Sequence, residues 1–257
     1  MKARTIITTL LLILTGAAAS KAQTGGAASP LGFGVGSRDL ALGGANLAVC
    51  DFATAPFWNP SRLARSEQYG VMGFHTRLYD ADVAYQYLGI VIPTLDWGAV
   101  GIGVTRLGID DIEKRDASNL LLDSISDSRL GLRLGYGRTF GSFDFGLSLS
   151  VETHSLDTYK ATSSPGLDVA ATRILPSPFG WCDNLSVTLV GRNIIAPSIR
   201  LVDEAIKSPF ELQAGVSAKV LMTHDARQSL EIAGGYSKPD NAPSRGVLGL
   251  EFSLFDI

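Results

Sequence analysis

Three things are scarce in this sequence, and each scarcity closes off a class of protein. Cysteine is nearly absent: Cys50 and Cys182 are the only two in 257 residues, too few for a disulfide framework, so the fold must rest on packing and backbone pairing. Charge is low, with 18% Asp, Glu, Lys and Arg against about 25% in an average chain. The 22 basic residues are outnumbered by 25 acidic ones, which leaves no cationic excess for holding nucleic acid. Long apolar runs are missing after residue 22, so no stretch of about 18 or more apolar residues offers a spanning helix. Glycine, in contrast, is plentiful at 28 residues. Disorder and a helical bundle are both excluded by this composition.

The first 22 residues read as a signal peptide. Lys2 and Arg4 form a positive start, Ile6 to Leu14 an apolar stretch, and Ala17/Ala19 or Ser20/Ala22 a small-residue cleavage site, with cleavage preferred after Ala22. The run is broken by Thr5, Thr8, Thr9, Thr15 and Gly16 and is too short for a transmembrane anchor. No cysteine adjoins either cleavage site, which excludes a lipoprotein.

Beyond the leader, hydrophobicity alternates with a period of two, the mark of strands whose two faces meet different surroundings. Phe143, Phe145, Leu147, Leu149 and Val151 share one face, and Asp144, Gly146, Ser148 and Ser150 the other. Leu130, Leu132, Leu134 and Tyr136 alternate with Arg129, Gly131, Arg133 and Gly135, and Phe210 to Ala218, Leu185 to Leu189 and Leu248 to Leu254 keep the same beat. The pattern predicts ten strands, near 69–76, 82–93, 97–107, 129–140, 143–155, 166–176, 184–194, 209–221, 229–237 and 245–255. Many are long enough to cross a bilayer at a tilt, which takes about 9 to 11 residues. Compact connections such as "PTLDW" and "TFGSF" alternate with longer polar ones such as "LDTYKATSSP" and "APSIRLVDEAIKSP", the pattern of a transmembrane antiparallel β-barrel of outer-membrane type. The short connections would face the periplasm. Tyr69, Tyr85, Tyr87, Trp97, Tyr136, Phe140 and Tyr236 are candidates for an aromatic girdle. A soluble β-sandwich also alternates, but its water-facing side would carry Lys, Glu and Thr, whereas here Gly and Ser dominate the polar face. For the strand over 143–151 the expectation is a lipid-facing Leu147 and a wet, lumen-facing Ser148, so that Arg at 148 is tolerated far better than Arg at 147.

Residues 23–66 have no such period. They are short helical or coiled, too short for a core of their own, and are expected to pack inside the barrel formed by 67–257. Gly32, Gly34 and Gly36 do not form a nucleotide loop, because no strand precedes them and no βαβ unit follows. The stretch "GSRDLALGGANLAVCDFATAPFWNPSRLA" carries the ordered positions Gly36, Ser37, Arg38, Leu42, Gly43, Gly44, Ala45, Asp51, Ala53, Thr54, Ala55, Trp58, Asn59, Pro60 and Leu63. It resembles the N-terminal signature of the PorV/PorQ family of outer-membrane proteins, related in fold to FadL-type transporters. Ser61 and Arg62 depart from the small residues commoner after the Pro. The resemblance implies a fourteen-stranded barrel with the N-terminal segment as a lumen plug, and makes Gly43, Gly44, Asp51, Thr54, Trp58, Asn59 and Pro60 the plug motif. Their role in shaping the plug is favoured over direct ligand contact, since Asn and Pro commonly serve turn geometry. With ten strands visible and no terminal aromatic residue after "LEFSLFDI", the chain reads as an incomplete barrel, truncated at the C-terminus; a closed ten-stranded barrel is the alternative.

No catalytic site is expected. His75, His154 and His224 have no companion at ligand spacing, no G-x-S-x-G elbow occurs, and His154 with Glu152 reads as a strand-end polar pair. Asp110, Asp111, Glu113 and Asp116 lack calcium-loop spacing and read as a solvated external loop. Neither metal nor cofactor is expected. Cys50 and Cys182 read as free thiols rather than a bridge. Three functions stay open: a non-enzymatic outer-membrane barrel that the resemblance links to type IX protein secretion, with secreted proteins or secretion machinery as partners; a transporter of small hydrophobic molecules past the plug; and a soluble exported sandwich acting as a binding module. The first two place the chain in the bacterial outer membrane with lipid around it.

Overall fold

The computed structural model describes residues 29–78, 83–94, 96–179, 182–221 and 228–254. The signal-peptide assignment over 1–22 lies outside these residues, as do 23–28 of the N-terminal segment. From residue 70 onward the chain is antiparallel β-structure. Its main strands are β1 (Gly70–Leu78), β2 (Val83–Thr94), β3 (Gly98–Arg115), β4 (Leu121–Phe140), β5 (Phe143–Leu156), β7 (Gly166–Phe179), β8 (Cys182–Ile195), β11 (Glu211–Leu221), β12 (Gln228–Pro239) and β13 (Arg245–Leu254). These ten form one sheet in the order β1-β2-β3-β4-β5-β7-β8-β11-β12-β13. Each strand of the sheet therefore pairs with the next of these ten along the chain, as a meander does.

The ten predicted segments coincide with these ten strands, and three short strands were not foreseen. β6 (Tyr159–Thr162) pairs with β5, and β9 (Ser198–Arg200) with β10 (Ala205–Lys207) makes a two-stranded sheet of its own. A second difference concerns the acidic stretch read as a loop. β3 and β4 stay paired beyond it, to Arg115 opposite Leu121, across a bulge between Ile109 and Ile112 where Asp111 takes a φ of 57°. Backbone pairing extends the hairpin into solvent although its side chains there bury little, so periodicity gave no sign of it.

The barrel expectation is met at the level of a single large antiparallel sheet. Closure is not seen: among the described residues β1 and β13 pair on one side only, so a closed ten-stranded ring is not formed. Nor do the described residues form a two-sheet sandwich.

The sheet wraps the N-terminal segment. A 3-10 turn (Pro30–Phe33), helices Ser37–Ala41 and Ala55–Trp58, and a second 3-10 turn (Pro60–Arg65) lie on its inner face. Among the described residues every hydrophobic cluster mixes segment and strand. Leu31, Val35 and Phe57 pack with Tyr85, Tyr87 and Leu107, Leu63 and Ala55 with Val91 and Ala99, Leu42 and Ala45 with Ala233, and Leu47 with Ala170 and Val190. The core of the molecule is thus the interface between 29–66 and the sheet.

The sheet leaves its apolar face exposed and covers its polar one. On β5, Phe143, Phe145, Leu147 and Leu149 are 41–46% exposed, whereas Asp144 and Ser148 are 2% or less exposed. Leu130, Leu132 and Leu134 on β4, Val187 and Leu189 on β8, Leu212 and Val216 on β11, and Leu248, Leu250 and Phe252 on β13 are likewise exposed. The polar, glycine-rich face is the one covered. Two expectations are corrected by this arrangement. Ser148 is not on a wet surface: it is fully buried and its Oγ donates to the Pro56 carbonyl at 3.1 Å. Tyr85 and Tyr87 belong to no girdle, because they point inward and donate from their hydroxyls to the carbonyls of Leu31 and Ala53.

Candidate functional site

The site is the seam where the N-terminal segment meets the inner wall. Close approach is possible because strand positions there are glycine. A Cβ at Gly146 would overlap the Pro60 carbonyl and the Ser61 amide, and one at Gly137 would sit 2.6 Å from the Ala64 nitrogen, so the 3-10 turn Pro60–Arg65 lies directly on the β4–β5 backbone. At its start Asn59 uses both ends of its side-chain amide. Its Oδ1 accepts from the Ser61 amide at 3.1 Å, capping the turn, and from the Ser61 hydroxyl at 2.7 Å. Its Nδ2 donates to the Leu47 carbonyl at 2.7 Å and to Thr172 Oγ1 at 3.2 Å. With Thr172 and Thr188 linked at 2.6 Å, a buried hydroxyl–amide network fixes the segment to β7 and β8. An Asn before a Pro supplies that cap because Pro lacks the N–H, leaving the next amide to be satisfied.

Trp58 closes helix Ala55–Trp58 and donates from Nε1 to the Val35 carbonyl at 2.9 Å. Its neighbour Phe57 has two guanidiniums near its ring, Arg133 at 5.2 Å and Arg192 at 5.7 Å from the ring centre. Arg133 Nη1 lies 2.7 Å from Asp168 Oδ2. Arg192 donates from Nε to Gln213 Oε1 at 2.8 Å and from Nη2 to the Trp58 carbonyl at 3.0 Å. Asp168 is 2% exposed and also accepts from the Asn193 amide, so one buried carboxylate serves β4 and β8 together. Burial of these charges is tolerated because each is paired and hydrogen-bonded.

Gly43 and Gly44 take φ values of 66° and 83°, a left-handed turn that glycine adopts without penalty, and this brings the chain against β12 and β13. Asp51 is exposed and pairs with Arg38 Nη1 at 3.3 Å. Arg38 grips Glu251 of β13 through Nε at 2.8 Å and Nη2 at 2.6 Å, and its charged form is reinforced by those carboxylates. On the other side, the Gly36 backbone faces Met72 of β1. The chain around Gly36 and Arg38 therefore touches both β1 and β13, the outermost strands of the sheet among the described residues. Asp39 on helix Ser37–Ala41 is fully buried and accepts from the Thr54 hydroxyl at 2.5 Å; burial pushes its carboxyl up to about 6. Burial also pushes the Cys50 thiol up. Cys50 and Cys182 are both buried free thiols.

The seven motif residues thus fall into three places rather than one pocket: Trp58, Asn59 and Pro60 against the central strands, Gly43 and Gly44 at β12 and β13, and Asp51 and Thr54 around Arg38 and Asp39. Sequence reasoning missed Asp39, Asp168 and Arg192. A signal existed for the last two, since each sits in the polar phase of an alternating strand, where a charge faces the interior.

Above Phe57 and Trp58 a cleft of about 760 Å³ separates the segment from the wall. Leu31, Leu40, Leu47 and Phe57 give it an apolar side, and Arg133, Glu152, Arg192 and Gln213 a polar one. Such a lining suits binding of an amphipathic molecule. Glu152 accepts from the Ser29 hydroxyl at 2.6 Å and faces Arg129, and His154 Nε2 lies 2.8 Å from Asp127 Oδ1 rather than pairing with Glu152. Among the described residues no group of three or more His, Cys, Asp or Glu could hold a metal ion. No family model matches the chain, and no curated protein matches it.

Proposed function

We propose that the protein is a non-enzymatic outer-membrane β-barrel protein of the PorV/PorQ type, its N-terminal segment filling the lumen. The observation that carries this reading is the exposed apolar face of the sheet. An uncovered face bearing Leu and Phe on strand after strand, opposite a buried face of Gly, Ser, Thr and paired charges, suits hydrocarbon outside and polar packing inside. In water the same face would be an aggregation surface. In this reading the free edges of β1 and β13 are closed by further β-structure, since each unpaired backbone group in lipid costs several kcal/mol. The link to type IX secretion rests on the sequence resemblance.

Fractionation of cells producing the full chain tests the reading. The protein is expected in the outer membrane and resistant to alkaline extraction; recovery in the aqueous fraction would overturn it and favour the exported binding module. A transporter role is the second reading, favoured by the cleft above Phe57 and Trp58. Uptake of small hydrophobic molecules that falls on substitution of Phe57 would support it.

A further inference from the structure

At the end of the sheet where the connections are short, the outward face carries a feature that neither the fold nor the interior needs. Trp97, Phe140, Phe143 and Phe145 are 67%, 56%, 41% and 45% exposed. Phe145 lies 6.2 Å from Phe140 and 6.1 Å from Phe143, ring centre to ring centre. Two arginines lie on this cluster. The Arg138 guanidinium sits 5.3 Å from the Trp97 ring and 5.2 Å from Phe140, and that of Arg173 sits 5.2 Å from Phe143. The strand register explains the grouping: Arg138 on β4 is opposite Phe145 on β5, and Phe145 is opposite Ala171 on β7. The two arginines thus flank β5 on either side. Among the described residues, every other arginine with a cation–π contact touches a ring of the N-terminal segment.

Among the described residues, neither guanidinium has a carboxylate partner at ion-pair distance. That contrasts with Arg133 and Arg192, which face the interior and share the buried carboxylate of Asp168. With no acid bound, each guanidinium offers the planar fork of N–H donors that matches a phosphate.

We propose that Arg138 and Arg173, held on the Trp97–Phe140–Phe143–Phe145 cluster, bind the phosphate of an anionic lipid headgroup at the short-connection rim. The proposal rests on the membrane reading above. Aromatic rings sit at the headgroup level and the arginines reach from them toward the phosphates, so the acyl chains lie along Leu147, Leu149 and their neighbours.

The test uses the full chain in detergent with equal amounts of phosphatidylglycerol and phosphatidylcholine, the retained lipids being counted by native mass spectrometry. Wild type is expected to retain phosphatidylglycerol preferentially. Arg138→Gln/Arg173→Gln is expected to reduce that preference by roughly thirtyfold, the factor two guanidiniums near a headgroup layer supply. Lys114→Gln/Arg115→Gln, which removes two positive charges from the opposite end of the strands, is expected to keep it. Equal retention of the two lipids by wild type, an unchanged preference in the rim variant, or an equal loss in the Lys114/Arg115 variant would each overturn the site. Displacement of the lipid by excess inorganic phosphate would overturn the lipid assignment in favour of a free-phosphate site. Circular dichroism and melting of the rim variant are expected to match wild type, since both side chains lie outside the core. A failure here with the chain still in the membrane fraction strikes the rim site alone, whereas recovery of the chain from the aqueous fraction strikes the membrane reading itself.

Discussion

Strands β5 and β1 alternate with the same period and bury opposite kinds of residue. On β5 the buried face is Asp144, Gly146 and Ser148, and the phenylalanines and leucines are outside. On β1 the inward face is Met72, Phe74, Thr76 and Leu78, and the outward face is Val71, Gly73, His75 and Arg77. The difference comes from what lies over each strand. The backbone of Pro60–Arg65 rests directly on β5 at Gly146, where a Cβ would overlap Pro60 and Ser61, while Ser148 donates to the Pro56 carbonyl and Asp144 pairs with Arg65. At β1 the inner face meets side chains instead, and Phe74 and Leu78 fill the gap beside Leu31, Val35 and Tyr85. An alternating strand thus has two faces by its own geometry, but the covering segment decides which one is polar.

The comparison can be broken most sharply at Ser148. Ser148→Arg places a charge against the Pro56 carbonyl where no water reaches, and about 3 to 5 kcal/mol of destabilisation is expected. Leu147→Arg, one residue away, is expected to lose about 2 to 4 kcal/mol in a bilayer, where the charge meets hydrocarbon. Denaturant unfolding in lipid vesicles measures both, and a mild Ser148→Arg would mean that the covering segment is not seated on β5.

Next in size is a pH effect under the β1 edge. Asp39 has a folded pKa of about 6, above its ordinary value of 3.8, so its neutral form is the one the fold favours. That contribution is fully present below about 3.8, shrinks as pH rises, and is gone above about 6. The gap between the two values corresponds to roughly 2 to 3 kcal/mol. Asp39→Asn is expected to abolish this decline, matching wild type near pH 4 and melting at a higher temperature at pH 7.

Smaller again is the glycine contrast. Gly146→Val forces Pro60 and Ser61 to move and is expected to cost about 1 to 3 kcal/mol. Gly73→Val on the outward face of β1, where a Cβ meets nothing within 4 Å, is expected to fall within about 0.5 kcal/mol of wild type. Equal effects would show that the two strands are covered alike. The smallest effect is expected from Arg38→Gln. The bidentate pair with Glu251 is partly exposed, at 33% and 28% of the two side chains, and such pairs contribute about 1 kcal/mol or less. Limited proteolysis of the 29–66 segment would reveal any loosening near β13.

The positions of all ten long strands, and the division of each into an apolar and a polar face, were legible in the sequence because side chains alternate across a strand whatever else the chain does. The aperiodic character of 25–66 was legible for the same reason. Other features were not, the short strands β6, β9 and β10 among them. The β3–β4 hairpin runs on past Ile109 by backbone pairing, which leaves no hydrophobic trace. Tyr85 and Tyr87 share a spacing with girdle residues and were placed inward only by the carbonyls of Leu31 and Ala53. Asp168 and Arg192 became partners because β7 and β8 pair antiparallel, bringing together positions well separated along the chain. Local periodicity is a property of a few residues and can be read from them; which face is covered, and by what, depends on long-range contacts such as Ser61 on Thr172, which exist only once the segment and the sheet have come together.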